Sequence, residues 1–235
     1  TDGTSFEAIA DFTDGLMQMD SEGNPINALA ESYELSEDGL TYTFLAKAAG
    51  NVYLNLLTDE ANVSCKVMVG DGSSAYPYYV RNTDDLLGVN SKGLDKNFEQ
   101  VANIDMSGKT YTPIAPTEAA PFVGSYNGNN FKINNLKITG NIDYAGMFGF
   151  IGQYATVKNV ALTNANFKSN STLLGGIAAQ NQGDILDSSV QGSLETTNAS
   201  GYVGGIVARN QQSAKVLTSS FNGSLANGAF LGGIA

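Results

Sequence analysis

The chain has 235 residues, a net charge of −11, a single cysteine and no histidine or tryptophan. That length fits one elongated or two small domains, and the lone Cys65 permits no internal disulfide. The acidic balance argues against a nucleic-acid partner, and no run of about 18 apolar residues is present to cross a membrane as a helix.

The acid is concentrated at the start. Residues 1–50 carry ten Asp/Glu against Lys47 alone, while the remainder carries thirteen acids and eleven bases. A solvated face is the plain reading of that excess. Phe6, Ile9, Phe12 and Leu16 fall at i, i+3, i+6 and i+10, which predicts a helix over 6–17 that Asn24-Pro25 breaks. Tyr33 to Phe44 reads as a hairpin with Glu37-Asp38-Gly39 as its turn. Gly15-Leu16-Met17, Asp20-x-x-Gly23-Asn24-Pro25, Ala28-Leu29-Ala30-Glu31-Ser32-Tyr33 and Ser36 through Phe44 carry a likeness. This wording resembles the start of oligopeptide-type extracellular solute-binding proteins. The resemblance covers residues 1–45 and implies a fragment of a solute receptor. The residues by themselves describe a helix-plus-hairpin module.

Val52 to Leu57 and Asn62 to Val69 read as strands, separated by Thr58 to Ala61 and closed by Gly70 to Ser74. Short strands at this spacing predict a small acidic domain over 1–80, sandwich-like and β-rich with one helix. A spacer role is the plain reading, and a carbohydrate-binding sandwich is the sharper one. Cys65 alternates with Val63, Val67 and Val69, so a buried, inert thiol is expected. A nucleophile would need a base, and no histidine exists to serve as one. A lone cysteine without histidine also leaves no zinc set. Asp59-Glu60 and Asp71-Gly72 read as turns rather than calcium ligands. No Gly-x-Ser-x-Gly elbow, helical Ser-x-x-Lys or phosphate loop stands out. The expectation is therefore a chain with no catalytic residue, cofactor or metal. Pro77 and the polar run up to Asn82 suit a linker, with Tyr76, Tyr78 and Tyr79 packed at the junction.

After a lead-in or cap segment over 81–130, the chain becomes periodic. Tyr144-Ala145-Gly146-Met147-Phe148-Gly149, Leu174-Gly175-Gly176-Ile177-Ala178, Val203-Gly204-Gly205-Ile206-Val207 and Leu231-Gly232-Gly233-Ile234-Ala235 repeat one phrase. Aligned on Gly146, Gly176, Gly205 and Gly233, the steps are 30, 29 and 28 residues. Between them runs a second phrase: Ile133-x-x-Leu136-x-Ile138, Val157-x-x-Val160-x-Leu162, Ile185-x-x-Ser188-x-Val190 and Val216-x-x-Ser219-x-Phe221. Its apolar/polar alternation is that of a strand with one buried face. Gly, Asn, Ser and Thr are dense and no apolar stripe holds a 3.6 period, so helix is a poor alternative. The glycines suit corners that need φ > 0 or close approach.

A fixed period in this range predicts a mainly β protein: a parallel β-helix (solenoid) of 28–30-residue repeats over 131–235, one coil per repeat. The sequence stops inside the fourth glycine phrase, so we expect the natural product to continue. Asn181 and Asn210, 29 apart, would stack in adjacent coils as an Asn ladder. Asn62, Asn170, Asn198 and Asn222 open Asn-x-Ser/Thr triplets, which matter only in a host that glycosylates.

The Gly-Gly-Ile-Ala phrase alternating with the strand phrase resembles the GLUG-type repeats of bacterial surface proteins. These include adhesin-like proteins and the non-catalytic part of IgA-specific metallopeptidases. Asp84-Asp85-Leu86, Val101 to Gly108, Pro121 to Asn129 and Phe131-Lys132-Ile133 extend the likeness over about 82–235. The resemblance implies a non-catalytic bacterial cell-surface or extracellular stalk for adhesion or extended display. Its partner would be a protein or glycan of a host or neighbouring cell. Self-association through the solenoid ends into a filament is a variant of this expectation. The alternatives are the accessory region of a surface peptidase and a fragment of a solute-binding protein.

Overall fold

The computed structural model describes residues 17–19, 21–22, 25–27, 30–35, 42–46, 50–57 and 62–234. The chain divides into two compact units, Thr1–Tyr76 and Pro77–Ala235.

In the first unit the described strands pair antiparallel with near neighbours in sequence. Met17–Met19 pairs with Pro25–Asn27, Ala30–Leu35 with Tyr42–Ala46, and Gly50–Leu57 with Asn62–Val69. The hairpin read at Tyr33 to Phe44 is present, with Tyr33 opposite Phe44 and Leu35 opposite Tyr42. The helix over 6–17 lies outside the described residues except for Met17, which opens a strand instead. The Glu37-Asp38-Gly39 turn, Asp59-Glu60 and the packing of the Cys65 thiol also fall outside what is described.

The second unit is a parallel β-solenoid of about five turns. Its partners across the repeat coils lie 27 to 31 residues apart. Among the described residues four parallel sheets run along it. The first stacks Tyr78–Val80, Asn97–Gln100, Ser125–Asn127, Thr156–Lys158, Asp184–Leu186 and Lys215–Leu217. The second stacks Ile104–Asp105, Lys132–Asn134, Ala161–Ser169, Ser189–Thr196 and Ser220–Ala226, with Lys137–Gly140 beside the far half of Ala161–Ser169. The third stacks Tyr144–Ala145, Leu173–Gly175, Tyr202–Gly204 and Phe230–Gly232, and the fourth Phe148–Ile151, Ala178–Asn181 and Val207–Asn210.

In-register stacking turns the sequence alternation into columns of like side chains. Phe98, Tyr126, Val157 and Ile185 form one buried column, and Ile104, Ile133, Leu162 and Val190 another. The early coils are filled by rings: Phe122 lies 5.1 Å from Phe148, and Tyr126 5.8 Å from Phe148. Later coils use Leu, Ile, Val and Ala in the same space. No coil buries its apolar face alone, so each depends on the next. Two short helices, Thr83–Leu87 and Val89–Lys92, add Leu86 and Val89 to the core. Asn82 caps the first by accepting from the Asp85 amide at 2.9 Å.

The register corrects two readings of the sequence. Tyr78–Val80, taken as linker, is already a strand of the first sheet, with Tyr78 opposite Phe98 and their rings 5.7 Å apart. Ile133 does not correspond to Val157. Its partner is Leu162, and the residue opposite Val157 is Tyr126. Both phrases alternate, so they match as text when slid by one strand. The backbone instead pairs Lys137–Gly140 with the far half of Ala161–Ser169 and leaves Tyr126 in the column that later coils fill with aliphatic residues.

The repeat glycines sit where backbones approach. Gly175, Gly204 and Gly232 are partners in the third sheet. A Cβ on Gly175 would collide with the Ala178 carbonyl, and one on Gly204 with that of Val207. A Cβ on Gly176 or Gly205 would strike the carbonyl of the next coil and the side chain of Val190 or Phe221. Gly146 faces the Gly175 carbonyl and Gly149 that of Ala115, whereas a Cβ on Gly233 meets nothing. Close approach, not positive φ, is the reason for glycine in the Gly-Gly pairs.

Candidate binding surface

Two places on the solenoid gather polar side chains, and in both the coil period does the gathering. The first is the corner between the fourth and first sheets, where Asn181 and Asn210 lie. Ile151, Asn181 and Asn210 are in register, so this column turns polar at Asn181. Asn181 is fully buried. Its Oδ1 accepts from the Gly183 amide at 3.0 Å, and its Nδ2 donates to the Gly183 carbonyl at 3.1 Å and to Asn210 Oδ1 at 2.8 Å. Asn210 Nδ2 then donates to the Ala214 carbonyl at 2.9 Å. These bonds hold the turn Gln182-Gly183 from the inside, where an unpaired backbone group would be costly, and the turn Gln211 to Ala214 at an exposed position.

On the outside of the same turns stand Gln153, Gln182 and Gln211. The amides of Gln182 and Gln211 donate to the carbonyls of Ile151 and Asn181, one coil earlier, at 2.8 and 2.9 Å. Their side-chain amides make no hydrogen bond among the described residues. Beside them Tyr154 takes φ +66° and is 95% exposed. Tyr154, Gln153, Gln182, Asp184, Ser213 and Lys215 line a groove of about 370 Å³, in which Lys215 Nζ and Asp184 Oδ2 are 3.6 Å apart.

The second place is the outer face of the second sheet. Asp105 Oδ1 accepts from the Ser107 amide at 3.0 Å, Ser107 Oγ at 2.8 Å and Asn135 Nδ2 at 2.7 Å. Asn135 Oδ1 in turn accepts from Asn164 Nδ2 at 2.5 Å. The hydrogen bond from the Asn135 side chain, then those from Ser107, hold the Asp105 carboxyl below its usual range. Asn135 and Asn164 both have positive φ, +59° and +52°. Asparagine tolerates that conformation better than other side-chain-bearing residues. The next coil omits the extra residue, so the strand bulges between Leu162 and Ala165, and the ladder ends there. Loop 106–111 and the ladder enclose a groove of about 500 Å³ with Lys109, Lys137, Thr139 and Asn166. Neither lysine makes an ion pair among the described residues.

No protein-family profile matches the chain. A stretch of halomucin from Haloquadratum walsbyi is 29% identical over 150 residues, covering 59% of this chain and 2% of halomucin. A protein of Evansella cellulosilytica named "Putative Gly-rich membrane protein" is 31% identical over 134 residues, covering 52% of this chain and 15% of that protein. The chain thus corresponds to a small part of either relative's length. Among solved structures, a "putative immunoglobulin A1 protease from Bacteroides ovatus" aligns with TM-score 0.42 and 18% identity over 67% of this chain and 69% of that one. That similarity is too low to bear on function.

Among the described residues no three His, Cys, Asp or Glu side chains gather as a metal site. The buried phenols are structural: Tyr111 donates to the Met147 carbonyl at 2.8 Å, and burial pushes the hydroxyls of Tyr111 and Tyr126 up, away from ionisation. The Asp105–Asn135–Asn164 ladder and the groove at Tyr154 were not singled out in the sequence. The 29-residue step from Asn135 to Asn164 is the same signal that marks Asn181 and Asn210.

Proposed function

We propose that this chain is a non-catalytic β-solenoid module of a bacterial cell-surface protein, built from GLUG-type repeats and serving adhesion or extended display. The observation that carries the reading is the outward register. Polar side chains of successive coils fall into columns while the inward ones form a continuous apolar core. Such a surface multiplies weak contacts by repetition, which suits attachment better than turnover. The likeness to part of halomucin and of a Gly-rich membrane protein supports placement outside the cell or at its boundary. Among the described residues no helix is long and apolar enough to cross a membrane.

Protease treatment of intact cells expressing the full natural gene tests this. The repeat region is expected to be cleaved or shed while cytoplasmic markers stay whole. Protection of the repeats until the cells are lysed would contradict the proposal.

A further inference from the structure

Tyr154 is the residue the fold explains least. A bulky side chain at φ +66° is an uncommon and strained conformation, and glycine or asparagine would hold the same turn more easily. The ring gains nothing in exchange from the protein. It is 95% exposed and makes no ring contact or hydrogen bond among the described residues. A strained aromatic held in solvent has its use outside the chain.

Its surroundings specify what that use is. The free amides of Gln153 and Gln182 each offer a donor and an acceptor beside the ring, and Ser213 adds a hydroxyl. Asp184 and Lys215 neutralise each other across 3.6 Å, so the groove has no net charge to attract an ion. An aromatic face ringed by amides and a hydroxyl matches a pyranose, whose C–H face stacks and whose hydroxyls exchange hydrogen bonds. The coils rise by ~4.8 Å, close to the span of one sugar in an extended chain. Gln182 and Gln211 repeat the amide in register, each following its ladder asparagine, with Gln153 one position later in the preceding coil, and the Asn181–Asn210 ladder beneath fixes the turns of Gln182 and Gln211. We propose that the corner of Gln153, Tyr154, Gln182 and Gln211 binds an uncharged linear polysaccharide, laid along the solenoid axis with Tyr154 as its stacking platform. This deepens the adhesive reading by naming the ligand and its seat, and its purpose rests on that reading.

Affinity electrophoresis of the purified chain tests it, in native gels containing a neutral β-glucan, xylan, mannan or, for contrast, polygalacturonate. At least one neutral polysaccharide is expected to retard the protein. Tyr154→Ala is expected to weaken that binding about tenfold or more, and Tyr154→Phe to keep it within about threefold. Tyr154→Gly should melt at a higher temperature than the parent while losing retardation, a pair of effects no purely structural role produces. Retardation by none of the neutral polymers, or by polygalacturonate alone, would overturn the proposal. So would equal binding by Tyr154→Ala, or a lower melting temperature for Tyr154→Gly. Binding by pure protein stands or falls independently of where the protein resides in the cell.

Discussion

Asn181 and Asn164 each donate a side-chain amide proton to an asparagine 29 residues away, one sealed in a corner and the other on an open face. The buried ladder runs forward, from Asn181 to Asn210, because Gly183 engages the Asn181 oxygen and leaves its amide to donate. The exposed ladder runs backward, from Asn164 through Asn135 to Asp105, because a carboxylate can only accept. The same side chain at the same period thus does two jobs. Inside, it supplies partners that no water can replace; outside, it holds left-handed turns that water also solvates. Stability should depend on the first far more than on the second.

The largest effect expected is at Asn181. Asn181→Ala strands the Gly183 amide inside the corner and should cost ~2–4 kcal/mol, measured by denaturant titration. Asn210→Ala removes one acceptor and the bond to Ala214 at a more open position, and about 1 kcal/mol is expected. A loss at Asn210 equal to that at Asn181 would break the distinction between them.

Acid should separate the ladders by a different route. The folded Asp105 carboxyl is depressed, so its contribution is present above the ordinary carboxylate value of about 3.9 and is lost as pH falls through the lower folded value. The side-chain amide resonances of Asn135 are expected to shift over that window while those of Asn181, which has no titrating partner, stay put. Asp105→Asn should remove the shift. The smallest effect belongs to Asn164→Gly. Its φ of +52° suits glycine, so a change within ~0.5 kcal/mol is expected by thermal melting.

Part of this architecture was legible in the sequence for a physical reason. The Gly-Gly pairs recur because a backbone crosses at the same place in every coil, and alternation records which side of each strand is buried. What stayed hidden has physical causes as well. Tyr126 occupies the column of Val157 and Ile185, but a ring and a branched aliphatic look unalike although they fill the same space. Tyr78–Val80 reads as linker because Pro77 precedes it, yet Pro is tolerated just before a strand at the edge of a sheet. The outer ladder repeats asparagine over a single step, from Asn135 to Asn164, before Asp105 ends it on one side and the bulge on the other, so its period is too short to stand out. Tyr154 has no counterpart in register, and its conformation is invisible without the backbone.

Dipolar EPR between spin labels at positions 132 and 220, in a Cys65→Ser background, tests the stacking most directly. Lys132, Ala161, Ser189 and Ser220 are successive partners in the second sheet, so the labelled backbones should lie three strand spacings apart, ~14 Å. A narrow distribution near that distance, repeated for labels at 137 and 224, is the result this account predicts. A broad distribution, or a mean beyond about twice that distance, would contradict in-register coils and every ladder built on them.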